Sequence, residues 1–155
     1  MIGYLEGKLI HARNNYIIVN VGGVGYRVFA VPELLARPIG STIALYIYHK
    51  STDDGQALFG LPTPESLDFF EKLLTVSGVG PKIALTILST GDIQSQMEAI
   101  ASGDAAFFSQ MAGVGKKTAE RIIIELKDKV GQFNPISSGG SSSDVFNALT
   151  GPGVS

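Results

Sequence analysis

The chain has 155 residues, 45% of them hydrophobic and 17% charged, enough apolar material for one ordinary core or two small ones. Its 12 basic and 14 acidic residues leave a net charge of −2, which excludes a surface coated in positive charge, so any nucleic-acid contact must come from a local face. With no cysteine and two histidines, His11 and His49, the chain lacks disulfides, thiolate zinc sites and cysteine nucleophiles, and metal or triad chemistry is poorly supplied.

The opening Met1-Ile2-Gly3-Tyr4-Leu5-Glu6 lacks the basic-then-apolar pattern of a signal peptide, and no run of about eighteen apolar residues follows. A cytoplasmic protein without a membrane partner is the expectation. From Met1 to about Pro62 the text is strand-like: Leu5–Ile10, Tyr16–Val21, Tyr26–Val31, Ile43–Tyr48 and Gln56–Phe59 are rich in β-branched and aromatic residues. Turn signals separate them at Asn14-Asn15, Gly22-Gly23, Pro38-Ile39-Gly40 and Asp53-Asp54-Gly55. Five short strands over residues 1–62 fit a small closed β-barrel of the OB type, with a compact sandwich as the alternative. Gly22-Gly23-Val24-Gly25 resembles a dinucleotide loop only superficially, because Tyr26-Arg27-Val28-Phe29 continues as a strand where that motif requires a helix.

Residues 63–130 read as all-α. Thr63-Pro64-Glu65 opens a helix with a capping hydroxyl, a proline at the first helical position and an acid near the positive end. Helical spacing runs through Leu67, Phe70 and Leu74 until Gly78 stops it. Pro81 starts a second helix with Ile83, Ala84, Ile87 and Leu88 on one face, ended by Gly91. Asp92 caps a third with Ile93, Met97 and Ile100, and Gly103-Asp104 punctuates before a fourth with Phe107, Phe108 and Met111. The last runs from Lys116 to about Val130 and buries Ala119, Ile122, Ile123 and Leu126. Residues 131–144, rich in Gly and Ser, read as a flexible linker of roughly 20 Å mean span. Residues 145–155 are too short and too broken by Gly and Pro to fold alone, and read as the remnant or start of a truncated C-terminal domain.

Within the helical part, Thr75-Val76-Ser77-Gly78-Val79-Gly80-Pro81-Lys82-Ile83-Ala84 returns thirty-five positions later as Gln110-Met111-Ala112-Gly113-Val114-Gly115-Lys116-Lys117-Thr118-Ala119. Each copy is a tight hairpin that delivers the chain into a new helix. Glycine permits positive φ and close approach, and the first-turn amides at the positive end of the helix dipole form a cradle for a phosphate oxygen. One Gly-x-Gly before a helix is weak evidence, but a repeat that also shares Val, Lys and Ala is hard to ascribe to turn geometry alone. The expected phosphate-contacting residues are Gly78, Val79, Gly80, Lys82, Gly113, Val114, Gly115, Lys116, Lys117 and Arg121. Val79 and Val114 also plug each hairpin into its helix pair, while Ala84 and Ala119 permit close helix packing. Lys82, Lys116, Lys117 and Arg121 crowd helix starts, where positive charge opposes the dipole and makes sense if an anion sits between them. The bland reading is solvated surface cations, and Lys127 and Lys129 fit it because they complement the dipole at a helix end.

Asp53-Asp54 is first a turn-favouring sequence. A catalytic metal pair is disfavoured, since adjacent strand residues face opposite ways and no third ligand lies nearby in sequence. A third reading is electrostatic, with negative charge beside a phosphate path holding strands apart. His11 and His49 lack ligand spacing and read as structural or surface residues, and the tyrosines and Phe29 read as core in preference to stacking faces.

In combination and in order, Met1-Ile2-Gly3-Tyr4-Leu5-Glu6-Gly7, Val21-Gly22-Gly23-Val24-Gly25-Tyr26, Leu58-Phe59-Gly60 and the two hairpin segments through Leu85 and Arg121 closely resemble the RuvA family, the Holliday-junction-binding subunits of bacterial RuvAB branch-migration complexes. The resemblance covers Met1 to about Val130. It implies an OB barrel, a tandem helix-hairpin-helix domain, and a small C-terminal domain that contacts the RuvB-type ATPase. It also implies a homotetramer, sometimes paired as an octamer, that holds a four-way junction open in recombination and repair, and allows a RuvC-type resolvase as a partner. Asp53 and Asp54 match the family's acidic pin, which replaces the turn reading of that pair. The residue before the pin is often basic in relatives and is Thr52 here. Only Val145–Leu149 resembles the opening of the C-terminal domain, so direct contact with the motor is not expected of this chain. The expectation is a non-catalytic DNA-binding subunit without cofactor, metal or catalytic residues. The rivals are a hairpin-docked DNA repair enzyme, glycosylase or nuclease, and a helical-hairpin protein-protein module.

Overall fold

In the structure, a computed structural model, residues 1–130 are described. The expected linker 131–144 and terminal segment 145–155 lie outside the described residues. Strands β1 (Tyr4–Ala12), β2 (Tyr16–Val21), β3 (Val24–Ala30), β4 (Thr42–Thr52) and β5 (Gly55–Leu61) close a barrel in the order β1-β2-β3-β5-β4, with β4 returning to β1. All pairs are antiparallel except β3 with β5, which run parallel with Val28 opposite Leu58. Alternation selects the inside: Leu5, Leu9, Ile17, Val19, Val28, Ile43, Leu45 and Ile47 are buried in the core. The OB-type barrel is therefore what the alternating text encodes.

Between β3 and β4 a single turn of helix, α1 (Pro32–Leu35), carries the fully buried Leu34. The sequence reading placed no helix there. Four residues are too few to show helical periodicity, and the turn is held by tertiary burial of Leu34. β4 also runs four residues past the expected Tyr48, to Thr52.

Helices α2 (Pro64–Leu74), α3 (Pro81–Ser89), α4 (Ile93–Ser102), α5 (Ala105–Ser109) and α6 (Lys116–Val130) follow in the order read from the sequence. Thr63 caps α2 in a full capping box, its hydroxyl accepting from the Ser66 amide at 3.0 Å while the Ser66 hydroxyl accepts from the Thr63 amide at 3.0 Å. Asp92 caps α4 by accepting from the Ser95 amide at 2.6 Å, and Asp104 caps α5 by accepting from Phe107 at 3.2 Å. The fully buried Gln96 ties α4 to the end of α3, its side-chain amide donating to the Ile87 carbonyl at 2.6 Å. Barrel and helices meet through aromatic rings: Phe70 of α2 lies 5.9 Å from Phe59 and 5.4 Å from Tyr48, and Phe59 stacks on Phe29 at 5.4 Å. Phe29 thus belongs to this seam, and its ring is half-buried.

Candidate nucleic-acid interface

The two repeated segments fold into the same local structure. Gly78 and Gly113 both take the left-handed conformation, φ 92° and 80°, which turns the chain out of α2 and α5. Val79 and Val114 then donate their amides back to Val76 and Met111, each at 3.1 Å. Ala84 and Ala119 donate to the carbonyls of Gly80 and Gly115, each at 2.9 Å, closing the first turns of α3 and α6. The sequence duplication is a duplication of backbone geometry.

Within this frame the residues of the motif separate by role. The side chains of Val79 and Val114 are buried and their amides already serve the turn, so neither valine has a free group to offer a phosphate. Both pack, as expected of their plugging role, and Ala84 and Ala119 beside them have zero exposure. Gly80, at φ −96°, needs no special conformation, yet a Cβ built there meets nothing within 4 Å, and the same holds at Gly115. These second glycines keep the space before the helix open. α3 has no capping side chain and no acid in its first turn, and α6 has no acid in its first turn, whereas α2, α4 and α5 carry side-chain caps. Free first-turn amides at the positive end of a helix form an anion cradle.

Lys82, Lys116 and Lys117 are exposed at those helix starts. Arg121 behaves differently from its place in the sequence. From the second turn of α6 it reaches across to the first hairpin, donating from Nη1 to the Ser77 hydroxyl at 3.1 Å. Glu125, one turn further on, accepts from the Ser77 amide at 3.4 Å, and Thr118 Oγ1 would stand 3.6 Å from a Cβ at Gly78. The first hairpin is therefore seated on the helix that the second one launches. Sequence reasoning missed Ser77 and Glu125, whose pairing spans 48 positions and leaves no local signal.

Asp53 and Asp54 form the exposed two-residue tip of the β4–β5 hairpin, with Thr52 paired to Gly55 and the Thr52 hydroxyl donating to the Gly55 carbonyl at 3.2 Å. β4 pairs with β1 only from Thr42 to Tyr46, and β5 pairs with β3 only from Leu58 to Gly60. From Lys50 to Ala57 the hairpin is thus a two-stranded ribbon standing off the barrel. His49 braces its base: Nδ1 accepts from the Ile2 amide at 3.0 Å while Nε2 meets the Gln56 side-chain oxygen at 2.8 Å, the neutral tautomer with hydrogen on Nε2. Among the described residues no three His, Asp or Glu side chains gather to hold a metal ion. Among the same residues no helix is long and apolar enough to cross a membrane.

Comparison with known proteins gives two family matches, the RuvA N terminal domain over residues 1–60 and the SAM-like helix-hairpin-helix tandem over residues 70–128. Similar curated proteins include those of Caldanaerobacter subterraneus subsp. tengcongensis, 44% identical over 84% of this chain and 71% of the relative, and Halalkalibacterium halodurans, 43% identical over 87% and 67%. A relative from Acidobacterium capsulatum is 39% identical over 96% of this chain and 80% of its own length. All three are named Holliday junction branch migration complex subunit RuvA.

Proposed function

The chain belongs to the RuvA family, and from that membership we propose that it binds four-way DNA junctions through their phosphate backbones, without catalysis of its own. The observation that carries this reading is the duplicated hairpin, in which two matching backbone turns present open glycines, helix starts with no acid in the first turn, and exposed lysines. Gly78, Gly80, Gly113 and Gly115 admit the phosphate, and Lys82, Lys116, Lys117 and Arg121 supply positive charge around it. Such contacts fix position on a duplex and read no bases. Junction preference then comes from elsewhere: Asp53 and Asp54, on their projecting ribbon, set like charge against phosphates at the crossover, and a fourfold homotetramer matches protomers to arms, singly or paired as an octamer.

In this reading residues 1–62 form the barrel unit and 63–130 the DNA-gripping unit of a cytoplasmic protein. Branch migration itself is the work of a RuvB-type ATPase, with a RuvC-type resolvase as a further partner. The test is a gel-shift comparison of a four-way junction with linear duplex of equal length across a salt series. The junction should bind at least about tenfold more tightly, and log K should fall with log salt by about 0.9 per phosphate neutralised. Lys116→Ala should shallow that slope by about 1. Equal affinity for junction and duplex would sink the proposal, and Mg²⁺-dependent cleavage lost on Asp53→Asn would replace it with a nuclease.

A further inference from the structure

The tandem repeat diverges at both polar positions where its first copy bonds to α6. Thr75 and Ser77 of the first hairpin stand where the second has Gln110 and Ala112. Lys129 Nζ donates to the Thr75 hydroxyl at 3.4 Å, Arg121 Nη1 donates to the Ser77 hydroxyl at 3.1 Å, and the Glu125 carboxylate accepts from the Ser77 amide at 3.4 Å. Arg121, Glu125 and Lys129 follow one another at i, i+4 spacing, so they form one stripe along α6 that faces the first hairpin. The second hairpin needs no such tie, because it runs directly into α6 at Lys116.

We propose that Glu125 is a positioning residue, holding the first hairpin at a fixed distance from the second so that both cradles grip DNA at once. The role rests on the DNA-binding reading above. The amides of Thr75 and Val76 close back onto α2, at Lys72 and Leu73, but the Ser77 amide lies past that helix and takes the half-buried Glu125 as its partner. A hydrogen bond to a carboxylate is stronger than one to a neutral oxygen, and this one ties down the residue just before the left-handed turn at Gly78. Two binding points on one rigid frame act with a high effective concentration, which is lost when their spacing wanders.

Charge alone predicts something else for this position. A carboxylate on the surface that meets phosphate repels it, so if Glu125 had no other duty the chain would bind DNA better once it was removed. The brace and the bare charge therefore predict opposite signs.

The test is a gel shift of the full chain with a four-way junction, run on the parent, Glu125→Ala, Glu125→Gln, Lys82→Ala, and Lys82→Ala combined with Glu125→Ala. Glu125→Ala should weaken binding about fivefold, the worth of one hydrogen bond, while Glu125→Gln, which keeps an accepting oxygen, should stay within about twofold of the parent. Because Glu125 acts through the hairpin that sets Lys82, its removal should cost less than about twofold once Lys82 is already alanine. A general loss of stability would cost the same in both backgrounds, and melting curves check that every variant is folded at the assay temperature. Glu125→Ala binding as tightly as the parent, or more tightly, would overturn the brace and leave the DNA reading standing, as would an equal cost with and without Lys82. A parent chain that does not bind the junction would sink the DNA reading and the brace with it.

Discussion

The two glycines of each hairpin carry separate duties, and a methyl group tells them apart. At Gly78 the backbone is left-handed, φ 92°, so Gly78→Ala should destabilise the fold by roughly 1–2 kcal/mol and lower the melting temperature. At Gly80 the backbone is ordinary and the added Cβ meets no protein atom. Gly80→Ala should therefore leave stability unchanged or raise it by about 0.4–1 kcal/mol through the unfolded chain, while weakening DNA binding by occupying the phosphate path. Thermal melts and gel shifts on the same two variants check both halves. Undiminished DNA binding by Gly80→Ala would remove the space before α3 from the interface. The glycines themselves were legible in the sequence, because repetition marked them; the division of labour was not, since it depends on a sign of φ and on empty space. Arg121 shows the same limit. Its spacing put it with the second hairpin, and only packing delivers it to Ser77 of the first.

Among the elements, α4 offers a clean electrostatic test. The Ser95 amide, donating to Asp92 at the helix start, holds that carboxyl below its ordinary value. A depressed folded-state value means that the cap contributes fully above the unfolded value near about 3.9 and loses its contribution as pH falls through the folded value. Asp92→Asn keeps a capping oxygen without the titration. The drop in melting temperature between pH 7 and pH 3 should be smaller in Asp92→Asn than in the parent chain, and an equal drop would show that the cap carries none of the acid sensitivity. Caps of this kind were readable residue by residue, Thr63 as well as Asp92, because a cap is local chemistry, while Asp104 was read only as a break between helices and caps α5 in the structure. α1 was not, because one turn leaves no period to detect. The outer four residues of β4 were missed for a related reason: from Lys50 to Gln56 both strands of the ribbon are exposed, so no apolar alternation marks them.

For the whole molecule, the proposed discrimination between junction and duplex is a property that no single hairpin explains. If the ribbon tip supplies it, neutralising the tip should raise affinity for linear duplex more than for the junction. Asp53→Asn with Asp54→Asn should narrow the preference by about fivefold for each charge that faces a phosphate at about 4 Å in water. Titration of both DNA forms checks this, and an unchanged preference would transfer discrimination to the assembly alone. The ribbon has a second consequence, unrelated to DNA. The barrel closes through all five strands, but Lys50–Gln56 stands outside the pairing of β4 with β1 and of β5 with β3 and offers unpaired backbone to any extended chain. A lysine at its base and two carboxylates at its tip are the kind of charge that keeps such edges from recruiting one another. On this account the acids proposed to set charge against the junction's phosphates also keep copies of the protein from adding strand to strand, so replacing them with apolar residues should cost solubility.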